Sequence, residues 1–227
     1  MPLDIHRIQA IFFDVDGTLH DTDDQFLLQL AQWLRPLRLL LRKQDPLSLA
    51  RRLVMLTEAP ATFLYGIPDR LGLDDDMAAI GDWLYEKGLG KTAQPYRLID
   101  GVEAMLEGLS QHYPLGVVSA RGERSTQRFL DHFGIRKYFK VIATAQTCRH
   151  TKPYPDPVLW AADQMQVPAA KCLMVGDTTV DIQAGKAAGA QVVGVLCGFG
   201  TEDELSRSGA DLLLPNTAEL KKVLRDR

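Results

Sequence analysis

QAIFFDVDGTLHDT runs from Gln9 to Thr22, and its first half, Ala10 to Phe13, is a short apolar run without alternation. That pattern belongs to a strand buried on both faces of a parallel sheet. Asp14 follows at once. In open α/β sheets ligands gather outside the carboxyl ends of the strands, so this acid is expected at the mouth of a site. Asp16, Gly17 and Thr18 come next, and the glycine and threonine say that the strand is stopping and the chain turning. The turn is expected to bring the carboxylates of Asp14 and Asp16 round one point, where they would repel each other. A divalent cation removes that repulsion, and hard oxygen donors suit Mg2+, which takes one or two carboxylates beside phosphate oxygens and water. An acidic turn with no ligand is the plainer alternative, since Asp and Gly are ordinary turn residues.

With 227 residues the chain has room for one sizeable domain, or for a domain carrying an insertion. Its 46% hydrophobic and 24% charged residues are ordinary for a soluble globular protein, and a net charge of −3 gives no general reason to expect nucleic acid as a partner. The start, MPLDIHRIQA, has no apolar segment of signal-peptide type, and nowhere do about 18 apolar residues run together. The expectation is a cytoplasmic protein without membrane contact. Cys148, Cys172 and Cys197 are odd in number and form no C-x-x-C pair, which fits reduced thiols. Cys172, inside an apolar run, reads as a small core residue.

After Thr22 the pattern becomes helical. Phe26, Leu27, Leu30, Ala31, Leu34 and Leu37 recur at three- and four-residue intervals, with Asp23 or Asp24 available as an N-cap. No strand pattern appears for about 70 residues, too long for a simple connection and better read as an inserted helical unit. Pro36, Pro46, Pro60 and Pro68 divide it into short helices. Arg35 to Arg52 carry six positive charges against Asp45 alone, a solvated face or a patch that steers an anionic substrate.

Sheet-like patterning resumes after Pro95. Helices are predicted over Gly101 to Leu109 and Glu123 to His132, the latter stopped by Gly134, and a third opens at Asp156 or Pro157. Strands are predicted at Leu115 to Val118, ending on Ser119; at Lys140 to Ala143, leading towards Lys152; and at Leu173 to Val175, running into Gly176 and Asp177. Asp181 lies four residues beyond Asp177, one helical turn away. Gln191 to Val195 is a fifth strand, and Asp211 to Leu214 a short edge strand. Strands alternating with helices predict a doubly wound, Rossmann-like parallel α/β sheet.

Asp14 with Asp16, then Ser119, then Lys152, then Asp177 with Asp181 stand at successive strand ends, and together they resemble the haloacid dehalogenase-like hydrolase superfamily. Its phosphatases share D-x-D-G-T, a Ser or Thr ending the second strand, a Lys before Pro, and G-D-x-x-x-D. The resemblance implies a core of residues 1–20 and 96–227 carrying an α-helical cap, residues 21–95. It implies an aspartyl-phosphate phosphatase acting on a small soluble phosphate monoester. Asp14 is placed as nucleophile and Asp16 as general acid and base. Mg2+ is expected on Asp14 and Asp177, the Asp16 backbone carbonyl, and Asp181 directly or at one remove. Ser119 and Lys152 are expected to hold the phosphate with backbone N–H groups. Dehalogenases in the resemblance lack the second acid, so Asp16 points to phosphoryl transfer.

Many relatives carry Asn after the second-motif hydroxyl, whereas this chain has Ala120 and Arg121. Phosphate contact there must come from the backbone or from Arg121, whose fork suits phosphate or carboxylate, although a surface salt bridge fits it equally. His20 could reach the site or be structural. Taken one at a time, Ser119 could simply end a strand, Lys152 be a solvated loop residue and Asp177 an N-cap. The tail from Gly194 to Leu214 looks like the phosphoglycolate phosphatase branch, and Gly198 and Gly200 are expected to serve loop conformation. A phosphomutase of the same fold, or a non-catalytic binding protein on this scaffold, are the competing readings. Oligomeric state and the particular ester are not legible.

Overall fold

In the computed structural model, which describes residues 3–21 and 96–224, six strands form one sheet: β1 (Ala10–Phe13), β2 (Leu115–Val118), β3 (Phe139–Ala143), β4 (Cys172–Gly176), β5 (Gln191–Val195) and β6 (Leu212–Leu214). Their order is β3-β2-β1-β4-β5-β6, and every pairing is parallel. The fold is therefore the doubly wound α/β arrangement. From β1 the chain works outward through β2 and β3, then crosses to the other side of β1 to lay down β4, β5 and β6. The strand order thus reverses between β1 and β4, the place where such sheets open a crevice at their carboxyl ends. Phe13 pairs with Val175 there, and the Asp14 amide donates to the Val175 carbonyl at 2.9 Å.

The unbroken apolar strands have a physical cause: both sheet faces are covered. Ile11, Phe13, Leu115, Val117, Leu173 and Val175 face one core, shared with Val102, Met105 and Leu106 of α1 (Val102–Ser110) and Phe129 and Leu130 of α2 (Glu123–His132). Ala10, Phe12, Val118, Cys172, Met174 and Val192 face the other. They pack on Val158 and Ala161 of α3 (Asp156–Gln164) and Ile182 and Ala184 of α4 (Thr179–Ala187). Phe12 and Phe13 are fully buried on opposite faces, each worth roughly 1.5–3 kcal/mol of burial. Cys172 is a core residue, and burial pushes its thiol up to about 12. Shorter helices, α5 (Glu202–Arg207) and α6 (Leu220–Val223), flank the C-terminal strand β6.

Most element bounds agree with the sequence pattern to within a residue or two. β3 starts at Phe139, and β4 runs from Cys172 to Gly176. The helical cap over 21–95, its proline-divided helices, the Asp23 or Asp24 N-cap and the basic run Arg35 to Arg52 lie outside the described residues, apart from Asp21. No described helix is long and apolar enough to cross a membrane.

Candidate active site

The loop after β1 is tied by its own backbone. The amides of Leu19 and His20 donate to the Val15 carbonyl at 2.9 and 2.8 Å, and that of Gly17 to the His20 carbonyl at 2.9 Å. Gly17 sits at φ 73°, the left-handed region, and a Cβ there would fall on the Asp177 carboxylate. Glycine is required on both counts.

At the crevice Asp14, Asp177 and Asp181 bring carboxylate oxygens within 4.8 Å of one another, all three buried. Lys152, 4% exposed, lies among them, so it is no solvated loop residue. Its ammonium donates to Asp14 Oδ1 at 2.6 Å and to Asp181 Oδ1 at 2.5 Å. Burial works against that charge, but the two carboxylates outweigh it and raise the Lys152 pKa above its ordinary value. Lys152 stays protonated and keeps Asp14 paired.

Asp177 is fully buried and anchored from two sides. Thr18 Oγ1 donates to its Oδ1 at 3.0 Å, and the Phe199 amide to its Oδ2 at 2.8 Å. The Phe199 contact needs Gly198, because a Cβ at residue 198 would also fall on the Asp177 carboxylate. Gly198 thus serves a close approach rather than an unusual φ. Asp177 is not the N-cap of α4; Thr178 is, in a capping box closed by Asp181. Asp181 Oδ2 accepts from the Thr178 amide at 3.0 Å and hydroxyl at 2.6 Å, while its Oδ1 faces Lys152.

Three carboxylates against one ammonium leave an excess of negative charge in a buried site of hard oxygen donors. That donor set fits a divalent cation of the Mg2+ type. Asp14 and Asp177 are the acids best suited to hold it, since both oxygens of Asp181 are engaged by Lys152 and Thr178.

Asp16 turns elsewhere. The chain does turn as expected after β1, but the Asp16 carboxylate is not one of the three that cluster. Its Oδ2 accepts from Arg121 Nε at 2.6 Å, and its Oδ1 stands 3.2 Å from His20 Nδ1. Burial acts to raise the Asp16 pKa, yet the His20 hydrogen bond and the Arg121 charge prevail and hold it below the usual carboxylate value. Arg121 is therefore neither a surface salt bridge nor free; its side chain is 20% exposed and paired inward. Ser119, at the end of β2, is buried and accepts from the Arg121 amide at 3.1 Å, whereas Ala120 is exposed. The Arg121 guanidinium lies over the Phe129 ring, 5.6 Å from its centroid, and His20 packs edge-on to the same ring.

The sequence reading did not single out Thr18, Phe199 or Thr178 for these roles. Thr18 and Gly198 each carried a readable signal, a hydroxyl and a glycine beside strand ends, but neither names the partner it meets.

The profile of the family described as "Haloacid dehalogenase-like hydrolase" matches residues 11–195. A phosphoglycolate phosphatase of Xanthomonas campestris pv. campestris (strain 8004) is 33% identical over 217 residues, covering 93% of this chain and 94% of its own. Among solved structures, a predicted phosphoglycolate phosphatase from Haemophilus somnus 129pt superimposes with a TM-score of 0.67 at 23% identity. It covers 96% of this chain and 99% of its own. A putative beta-phosphoglucomutase from Thermotoga maritima does so with 0.66 at 23%, covering the same shares. These two structural likenesses establish the fold alone.

Proposed function

This chain belongs to the haloacid dehalogenase-like hydrolase family, and from that footing we propose that it is a Mg2+-dependent phosphatase of a small soluble phosphate monoester, working through an aspartyl-phosphate. The observation that carries the reading is the buried set Asp14, Lys152, Asp177 and Asp181 at the reversal of strand order. Phosphoglycolate, which the Xanthomonas relative's name gives, is the first substrate to try.

Asp14 attacks phosphorus, the ester oxygen leaves, and water then cleaves the acyl phosphate. Asp14 is ready for attack because Lys152 holds it without neutralising it by proton transfer. Lys152 also presents its charge to the non-bridging oxygens, and Ser119 with nearby amides completes the cradle. Mg2+, held by Asp14, Asp177 and the Asp16 carbonyl, would offset the charge of the phosphoryl group as carboxylate and phosphate meet. Asp16 donates the proton to the leaving oxygen and takes one from the attacking water. Arg121 and His20 favour its ionised form, which serves the second half. Approach of the phosphate dianion raises its proton affinity and serves the first. The machinery is assigned to a core of residues 1–20 and 96–227, and the segment 21–95 is proposed as an inserted helical cap.

The test is phosphate release from a panel of small esters, phosphoglycolate included, with Mg2+ and with chelator. Release that requires Mg2+ is expected. No release from any ester, with the protein folded, would favour a non-catalytic binder; release only with a sugar bisphosphate activator would favour the mutase.

A further inference from the structure

We infer that Thr217 is a positioning residue for Asp177: its hydroxyl grips the turn after β1 and, by way of Thr18, aims the carboxylate that would hold Mg2+. For the ion this rests on the phosphatase reading above; the brace itself rests on hydrogen bonds within the chain.

Thr217 opens the 3-10 turn Thr217–Glu219 that leads into α6. A threonine beside a helix start commonly turns its hydroxyl to a free amide of the first turn. Here Asn216 does that, its side chain accepting from the Ala218 amide at 2.8 Å, and Thr217 turns inward instead. It is fully buried. A buried hydroxyl costs stability unless it is bonded, and valine would fill the same space without one. Packing alone therefore leaves the hydroxyl unexplained.

Its bond supplies the reason. Thr217 Oγ1 donates to the Thr18 carbonyl at 2.7 Å, across 199 residues of sequence, and Thr18 Oγ1 donates to Asp177 Oδ1 at 3.0 Å. All three residues are fully buried. Within the turn the amides of Thr18, Leu19 and His20 converge on the single Val15 carbonyl, and that of Thr18 makes the longest of the three bonds, at 3.3 Å. Thr217 thus fixes the peptide after Thr18 from outside the turn. Cys197 backs the contact: its Sγ lies 3.5 Å from the Gly17 carbonyl oxygen and 3.4 Å from Thr217 Oγ1. Thr217 Oγ1 spends its hydrogen on Thr18, so towards that thiol it can only accept. The aim must be close, because Gly17 and Gly198 both pass so near the Asp177 carboxylate that a Cβ on either would meet it. A small shift of the turn therefore moves Asp177 or breaks the bond to it.

The test uses Thr217→Val, which keeps the shape and removes the hydroxyl, and Thr217→Ser, which keeps the hydroxyl and removes a methyl group. Mg2+ alone is titrated into each full-length chain by calorimetry, without substrate. For Thr217→Val the Kd is expected to rise about three- to tenfold, less than the about 10–100-fold typical of losing a ligand's direct partner. Thr217→Ser is expected to stay within about twofold of the wild type, since the donor remains. A Kd that Thr217→Val leaves within about twofold, or that both variants weaken alike, overturns the assignment and makes Thr217 a packing residue. A second measurement needs no metal: the Tm in chelator of Thr18→Val, Thr217→Val and the double variant. The two hydroxyls act in series on Asp177, so the double variant is expected to lose less than the sum of the single losses, whereas independent sites lose their sum. Additive losses overturn the assignment. A wild type that binds no Mg2+ strikes the metal of the phosphatase reading; the Tm series then decides the brace alone, non-additive losses upholding it and additive ones overturning it.

Discussion

The Asp14–Lys152–Asp181 knot and the Asp16–Arg121–His20 clasp flank the same turn, yet they are built on different terms. The knot is buried: Lys152 donates to both Asp14 and Asp181, and both oxygens of Asp181 accept hydrogen bonds. The clasp is partly exposed, with side chains of Asp16 and Arg121 at 23% and 20%, and one donor of its arginine has no acceptor among the described residues. A buried network of charge-assisted hydrogen bonds holds its members in one arrangement more tightly than a half-exposed one does. The first holds Asp14 in place; the second holds Asp16 below the usual carboxylate value.

Breaking the knot is expected to cost most. Lys152→Met leaves Asp14 and Asp181 facing each other in a buried site, and removing one partner from such a set costs about 3–5 kcal/mol. Denaturant unfolding should show that loss with turnover gone as well; a stability within about 1 kcal/mol of wild type would mean that the knot is less dry than its burial implies.

Next comes the support under Asp177. Gly198→Ala pushes a methyl against its carboxylate, and the Mg2+ concentration needed for half-maximal phosphate release should rise about 10–100-fold. Thr18→Val removes a single hydrogen bond to Asp177 and should cost about 1 kcal/mol of stability, with a several-fold weaker Mg2+ response. If neither variant changes the Mg2+ response, Asp177 does not hold the ion.

The clasp gives the smallest stability effect, with a definite sign. The folded-state pKa of Asp16 is lowered from 3.8, so its contribution is present above about pH 4 and lost as pH falls through the lower folded value. The Tm gap between wild type and Arg121→Gln should therefore be present at neutral pH and close in acid. A gap that widened in acid would mean that Arg121 does not act on Asp16.

Much of the knot was legible in the sequence, and little of the clasp. Ala10 to Phe13, Leu115 to Val118 and Gln191 to Val195 announce themselves because both faces of a parallel sheet are buried, which removes alternation. Asp14 and Asp177 follow from such strands because the fold places strand ends at one crevice, whereas Lys152, in the loop beyond β3, was singled out through the family resemblance. Side-chain direction after a strand ends is a different matter. Asp16 is two residues from Asp14, yet the left-handed Gly17 and the tight 15–20 turn send it towards Arg121, 105 residues away. Nothing local encodes that meeting. Likewise the Phe199 amide reaches Asp177 across 22 residues through a loop whose glycines say only that something comes close.

The most direct test of the account is turnover by Asp14→Asn on the ester that the wild type hydrolyses best, at saturating Mg2+, alongside its thermal unfolding. With Asp14 as nucleophile, phosphate release should fall about 1,000-fold or more while the chain stays folded, because the amide keeps a hydrogen-bond acceptor for Lys152 but cannot attack phosphorus. Release within about tenfold of wild type from a folded Asp14→Asn chain would contradict the account and take Asp14 out of the nucleophile's role.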